Sequence, residues 1–153
     1  MLQRRRHARR CRRLARECQQ PVMKEYLESC ASIAIERIDN TPMIAVDLEL
    51  NGLKKGRDHI VAMGWTWIDR GRIQIGSNRH LLISAGHSVG SSAAIHELLD
   101  NEVQQGQSIG EGLEALLQAA RGRVWILHHA GLDISFLKKA CSDWAGITPA
   151  FIV

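Results

Sequence analysis

The segment that most constrains the fold is Met43 to Gly52, which reads MIAVDLELNG. Side chains of a β-strand alternate between its two faces, so Asp47 and Glu49 point to the same side. The opposite side is apolar throughout and carries Ile44, Val46, Leu48 and Leu50. Two carboxylates at the end of a buried strand are costly unless a positive group neutralises them, and a divalent cation accepts carboxylate oxygens readily.

The pattern after this strand predicts an α/β fold. Two further strands, His59–Ile68 and Ile73–Ile83, are separated by a hairpin turn at Asp69–Arg72. A capping box at Ser108–Glu111 then begins a helix, and a short apolar strand, Val124–Leu127, follows it. A parallel strand entered through a helix requires layered packing. We therefore expect a mixed sheet, with a three-strand antiparallel meander plus one parallel strand and helices on both faces.

A third carboxylate, Asp133, falls in the first turn of the last predicted helix. If Val124–Leu127 lies beside the acidic strand, that turn sits over the strand's carboxyl end, where open α/β sheets bind ligands. Asp47, Glu49 and Asp133 would then converge, and carboxylates bridging two metal ions are a known arrangement for cleaving phosphodiesters. The alternative is that Asp133 only favours the helix dipole and that the other two acids are solvated.

The N-terminal 41 residues differ in composition from the rest. Residues 1–20 contain eight arginines and one acid, a balance of +7, so the remaining twelve basic and fifteen acidic residues sum to −3. We expect a basic helix over residues 5–20 and a second from Val22 to Ile38, with Pro21 between them. Spaced arginines can neutralise nucleic-acid phosphates or can form a passive solvated helix. An organelle transit peptide is the less favoured alternative. The predicted domains are a helical extension, 1–41, and a catalytic-type domain, 42–153.

The four cysteines form no CxxC pair and have no zinc-type spacing with histidine. We expect free thiols in a reducing cytoplasm. No apolar run approaches the roughly 20 residues of a membrane helix, so we expect no membrane partner.

Three ordered blocks resemble the proofreading-type 3′→5′ exonucleases, the DNA polymerase III epsilon-like branch of the DEDD superfamily. They are VDLELNGL at 46–53, AAIHELLD at 93–100 and HHAGLDISFL at 128–137. The first matches D-x-E-x-x-G through Asp47, Glu49 and Gly52. The last matches H-N-A-x-x-D-x-x-F-L, except that His129 replaces the usual asparagine. The resemblance implies a ribonuclease-H-like fold and release of nucleoside monophosphates from 3′ ends of DNA or RNA.

By this resemblance Asp47, Glu49 and Asp133 hold two Mg²⁺ or Mn²⁺ ions and are the catalytic residues. The residues expected near the terminal nucleotide are Leu48, Gly52, Leu53, His96 and His129. A lone histidine in an apolar turn is more often structural, which is the favoured interpretation of His96. His128 or His129 could instead support a ligand or cap the helix.

The family's third block, H-x-x-x-x-D, supplies a general base and a fourth acidic ligand, and nothing after Asp133 matches it. We expect either a C-terminally incomplete sequence, since Pro149–Val153 resembles the start of another strand, or a degenerate copy. The second hypothesis for function is a non-catalytic nucleic-acid-binding or interaction module. A third is a hydrolase of small phosphate esters. A polymerase or other protein partner is left open.

Overall fold

The computed structural model describes residues 2–33, 37–54, 56–84 and 106–153. In chain order the elements are α1 (Leu2–Glu17), α2 (Pro21–Ser32), β1 (Met43–Leu50), β2 (Ile60–Asp69), β3 (Arg72–Leu82), α3 (Ile109–Ala119), β4 (Val124–Ile126) and α4 (Ala130–Ala145). No helix in these ranges is long and apolar enough to cross a membrane.

The sheet has the order β3-β2-β1-β4, in which β1–β2 and β2–β3 are antiparallel and β1–β4 is parallel. The predicted meander with one parallel strand is therefore confirmed. Beyond β4, the backbone N–H of Trp125 donates to the carbonyl of Ile152 at 2.8 Å. Ile152 thus lies beside the free edge of β4, but residues 147–153 form no strand, and a further strand beginning at Pro149–Val153 stays a prediction.

Local side-chain chemistry explains several element boundaries. Pro21 begins α2, where a missing N–H costs nothing. Ser108 and Glu111 form the predicted capping box of α3. The β2–β3 hairpin turns through Arg70 and Gly71, which both have positive φ, as a type I′ turn requires.

The second predicted helix was too long. It extended to Ile38, whereas α2 ends at Ser32 and residues 38–40 form a turn. The N–H groups of Asn40 and Thr41 donate to the carbonyl of Arg37, and the Thr41 hydroxyl donates to the same carbonyl at 3.1 Å. These bonds form a separate turn, whereas α2 itself ends where Ile33 leaves the helical conformation, with ψ of 120°, and packs against the core.

One hydrophobic core lies on the face of β1 that carries Ile44, Val46 and Leu48. All the helices given above contribute to it, including α1 and α2, and a helical layer on the opposite face stays a prediction. Trp65 is buried and Trp67 half-buried on the core face of β2. The Trp67 indole N–H donates to the carbonyl of Ala119 at 3.0 Å, which joins β2 to α3.

Helices α1 and α2 pack against the sheet and contribute side chains to its hydrophobic core. Buried α2 side chains include Met23, Tyr26 and Leu27, and the Tyr26 ring contacts Trp125 of β4 with centroids 6.2 Å apart. The backbone N–H of Gly122 donates to the Ser29 hydroxyl at 3.0 Å. The boundary at residue 41 stays a prediction, but the two helices share the core of the sheet.

Candidate active site

The carboxyl end of β1 extends past β4 and leaves space for the predicted site. Parallel pairing between them ends at Ala45 and Ile126, two residues before Asp47. The chain then turns through His128 and His129 into α4. As a result, the first turn of α4 lies near the carboxyl end of β1, as the crossover topology predicts.

The face that carries the two strand acids is lined by small residues on the neighbouring strand. In the antiparallel register Asp47 is opposite Gly64, and Glu49 is opposite Ala62. Directly opposite side chains share a face, so neither acid is covered by a large neighbour from β2. Both acids are exposed, and the space above them is open to a ligand.

Asp133 is the buried member of the predicted trio, with 7% of its surface exposed. Burial raises the pKa of its carboxyl above the usual range, and the negative charge of Asp47 raises that pKa further. The charges of His129 and His128 and a backbone hydrogen bond from His129 act in the opposite direction. Asp47 and Asp133 therefore lie close enough to repel each other.

Glu49 is placed on the same face as Asp47 by strand alternation, but no interaction links it to Asp133. Within the described ranges, no three His, Cys, Asp or Glu side chains are grouped so that they could hold a metal ion. The geometry thus brings together two of the three predicted ligands. A site of this kind fits Mg²⁺, which commonly uses one or two carboxylates and completes its coordination with water and substrate phosphate.

The two histidines before α4 are both exposed, with ring centroids 5.0 Å apart. His129 is the N-cap residue of α4, but its side chain makes no capping hydrogen bond. Its carbonyl accepts from the N–H groups of Leu132 and Asp133, at 2.9 and 3.1 Å. His129 therefore fixes the first turn of the helix through its backbone.

The predicted substrate residues differ in their placement. Leu48 is buried in the core and offers only its backbone to a ligand, whereas Leu53 is 72% exposed. Gly52 is required by packing, because a Cβ there would lie 2.6 Å from Cγ of Asp58. The Asp58 carboxylate accepts from the Lys54 N–H at 2.7 Å and closes the loop after β1. The prediction for His96, and the block 93–100, lie outside the described residues.

Strand register identifies one residue that the sequence analysis did not assign to the site. His80 is opposite Gly64 in β3, so Asp47, Gly64 and His80 form a row across the acid-bearing face. His80 is exposed, and the glycine between it and Asp47 leaves the row open. Only the pairing of three strands reveals this neighbour, since 33 positions separate it from Asp47 in the chain.

A cavity of about 610 Å³ lies beside the site. Its walls are the end of the β1–β2 loop, Ser84, the start of α3 and one side of α4, and its described lining includes neither Asp47 nor Asp133. Phe136, one helical turn after Asp133, gives it apolar surface. Its charged lining consists of two ion pairs, Arg57–Asp58 and Lys139–Asp143. An apolar pocket with a few charged groups at its rim is typical of small-ligand sites.

A comparison with protein families gives a match that covers the candidate site. The sequence resembles a family model described as Exonuclease (RNase_T) over residues 44–149, which include Asp47, Glu49 and Asp133. The comparison with curated proteins gave no match.

Solved structures support the fold. Exonuclease I of E. coli in complex with a dT13 oligonucleotide is similar with a TM-score of 0.57 at 9% identity, over 67% of this chain and 24% of that one. Exonuclease I from Methylocaldum szegediense is similar with a TM-score of 0.57 at 12% identity, over 66% and 23%. The chain spans about a quarter of the length of these proteins and shares the ribonuclease-H-like exonuclease fold. Since the family model covers more than half of the sequence, the chain belongs to the exonuclease family.

Proposed function

We propose that this chain is an epsilon-like, metal-dependent 3′→5′ exonuclease that releases nucleoside monophosphates from nucleic-acid 3′ ends. The observation that carries the proposal is the approach of Asp133, in the first turn of α4, to Asp47 at the carboxyl end of β1. This pair of acids supports the proposal because two carboxylates at a strand end can share a divalent cation with substrate phosphate.

Asp47, Glu49 and Asp133 would hold Mg²⁺ or Mn²⁺. Bound there, the metal supplies an activated water and charge stabilisation for the leaving oxygen. Asp133 is suited to the role because it is buried, is repelled by Asp47 and forms no ion pair with an Arg or Lys of the described chain. A bound cation would offset the energetic cost of burying the Asp133 carboxylate and would reduce its repulsion by Asp47.

The remaining predicted residues would position the 3′ end. Leu53, exposed on the loop after β1, and the backbone at Leu48 and Gly52 would contact the terminal nucleotide, together with His129 and His96. The cavity near Phe136 is large enough for a nucleoside. The similar E. coli enzyme was solved with a DNA oligonucleotide, which supports nucleic acid as the substrate class.

A non-catalytic nucleic-acid-binding module is the second candidate. It is favoured by the absence, within the described ranges, of a group of three residues that could hold a metal. Such a module would bind single strands without turnover, and loss of Asp47 would leave binding unchanged. A cytoplasmic location stays a prediction of both candidates, in agreement with four buried free cysteines.

An assay with an oligonucleotide labelled at its 3′ end distinguishes the two candidate functions. The exonuclease proposal predicts Mg²⁺-dependent release of labelled mononucleotide, abolished by Asp47→Asn and by a blocked 3′ end. Asp39→Asn, an exposed carboxamide substitution outside the site, is the matched control and should retain turnover. Release of labelled mononucleotide from an otherwise identical 5′-labelled oligonucleotide as the first product, or unchanged release by Asp47→Asn, would contradict the proposal. Binding without any release would support the non-catalytic module.

A further inference from the structure

The outer face of α1 carries a continuous arginine surface. All eight arginines from Arg4 to Arg16 are exposed, while Cys11, Leu14, Ala15 and Cys18 on the opposite face are buried. The first turn of α1 contains no acid. The sequence therefore makes a helix with one face fixed in the protein and the other face covered by positive charge.

Helical spacing divides this surface into two rows. Arg5, Arg9, Arg12 and Arg16 follow steps of four, three and four residues, which places them along one side of the helix. The second row is Arg6, Arg10 and Arg13, and it ends at Glu17, whose carboxylate pairs with Arg13 at 3.5 Å. In the part of the chain that the structure describes, the first row has no ion-pair partner. We call these four residues the arginine row.

The guanidinium groups of the arginine row repel one another when no partner is bound. Like charges at i,i+4 destabilise a helix by about 0.2–0.5 kcal/mol a pair, and cations near a helix N-terminus oppose its dipole. Nothing in the packing of α1 requires arginine at these exposed positions. A bound polyanion would remove the repulsion, so the row is better explained by an external partner than by folding.

The dimensions of the row fit a nucleic-acid backbone. Eleven residues of helix rise about 16 Å, and phosphates of one B-form strand follow each other about every 3.4 Å along the axis. Four guanidinium groups therefore run beside four or five phosphates. A membrane surface is disfavoured because an interfacial helix must insert an apolar face, and the apolar face of α1 is buried in the core.

We propose that the arginine row is a phosphate-binding surface for nucleic acid. The inference rests on the proposed function for its substrate class, and it deepens that function by assigning the row a role in affinity rather than in chemistry. The contact is to phosphates, so it carries no sequence preference.

The test measures binding of a fluorescein-labelled single-stranded 20-mer in EDTA, where no turnover occurs. The variant is Arg5→Gln/Arg9→Gln/Arg12→Gln/Arg16→Gln. The matched control, Arg37→Gln/Arg70→Gln/Arg72→Gln/Arg79→Gln, removes the same charge from exposed positions elsewhere. Loss of four phosphate contacts should lower the slope of log K against log salt by about 3 in the first variant only. Helix content from circular dichroism verifies that both variants fold.

An equal loss of slope in both variants, or no loss in the arginine-row variant, would overturn the inference. Binding of vesicles containing phosphatidylserine, lost with the row while oligonucleotide binding is retained, would overturn it in favour of a membrane partner. Row-dependent binding without nucleotide release would contradict the proposed function alone. Nucleotide release with row-independent binding would contradict this inference alone.

Discussion

The carboxyl end of β1 and the outer face of α1 both carry charge, and they are built in opposite ways. The acidic site depends on a buried carboxylate, Asp133, and on a helix placed over a strand end by long-range packing. The arginine surface depends on helical spacing alone and is exposed along its length. Catalysis depends on groups held in a precise geometry, which suits the acidic site. Phosphate binding depends mainly on the amount of positive charge, which suits the arginine surface.

The largest expected effect is on catalysis at the acidic site. We expect Asp133→Asn to lower turnover of a 3′-labelled oligonucleotide about 10³-fold, because losing a metal ligand forfeits several kcal/mol of transition-state stabilisation. The Kd for the same oligonucleotide in EDTA should change less than twofold. A tenfold loss of that affinity with unchanged turnover would reverse the roles that we assign to the two regions.

The next effect tests whether α1 and α2 belong to the same folding unit as the site. Leu27 is fully buried in α2, so Leu27→Ala should lower the free energy of unfolding by about 2–5 kcal/mol. Urea denaturation followed through the tryptophans of the sheet measures it. Ile75→Ala, at a position 78% exposed, should change stability by less than about 0.5 kcal/mol. An unchanged midpoint for Leu27→Ala would mean that residues 1–41 are a separate arm.

A smaller effect tests the loop that follows the acidic strand. Gly52→Ala places a methyl group against the Asp58 carboxylate and should cost about 1–3 kcal/mol of stability. Gly76→Ala is the matched control, because a Cβ there meets nothing within 4 Å. If both variants unfold at the same urea concentration, the close approach of Asp58 to Gly52 is wrong.

The pH dependence of stability gives the smallest effect and reports on Asp133 without substrate. Its pKa is raised by burial and by Asp47, so its protonated form is favoured in the folded state. The protonated Asp133 carboxyl makes its full contribution to stability below the pKa of about 4 that an aspartate has in the unfolded chain. That contribution is lost as the pH rises through the higher pKa of the folded state. In metal-free buffer Asp133→Asn should therefore gain in Tm over the wild type as pH rises from about 4 to 7. A constant difference in Tm over that range would contradict a raised pKa.

Local chemistry made most of the fold predictable from the sequence. Pro21, the Ser108–Glu111 capping box and the Arg70–Gly71 turn each act within a few residues, and all three were identified. The second helix was overextended because Ile33 leaves the helical conformation where it packs against the core, which apolar periodicity does not reveal. The integration of α1 and α2 into the core was also missed, since composition separates them while packing joins them.

The candidate site was predictable only as far as strand alternation and the β-α-β crossover allow. Alternation placed Asp47 and Glu49 on one face, and the crossover placed Asp133 over that strand end. Sequence could not show that Asp133 is buried while Glu49 is exposed, because that depends on how α4 packs. It also could not show His80, whose position depends on the register of three strands.

The most direct test of the central claim is the effect of metal on thermal stability. Mg²⁺ or Mn²⁺ at 100 times its dissociation constant should stabilise the wild type by about 2.7 kcal/mol, or about 5–10 °C in Tm. The same titration should leave Asp47→Asn and Asp133→Asn unshifted, while Asp39→Asn responds like the wild type. Equal shifts in all four proteins, or none in the wild type, would contradict a metal site formed by Asp47 and Asp133.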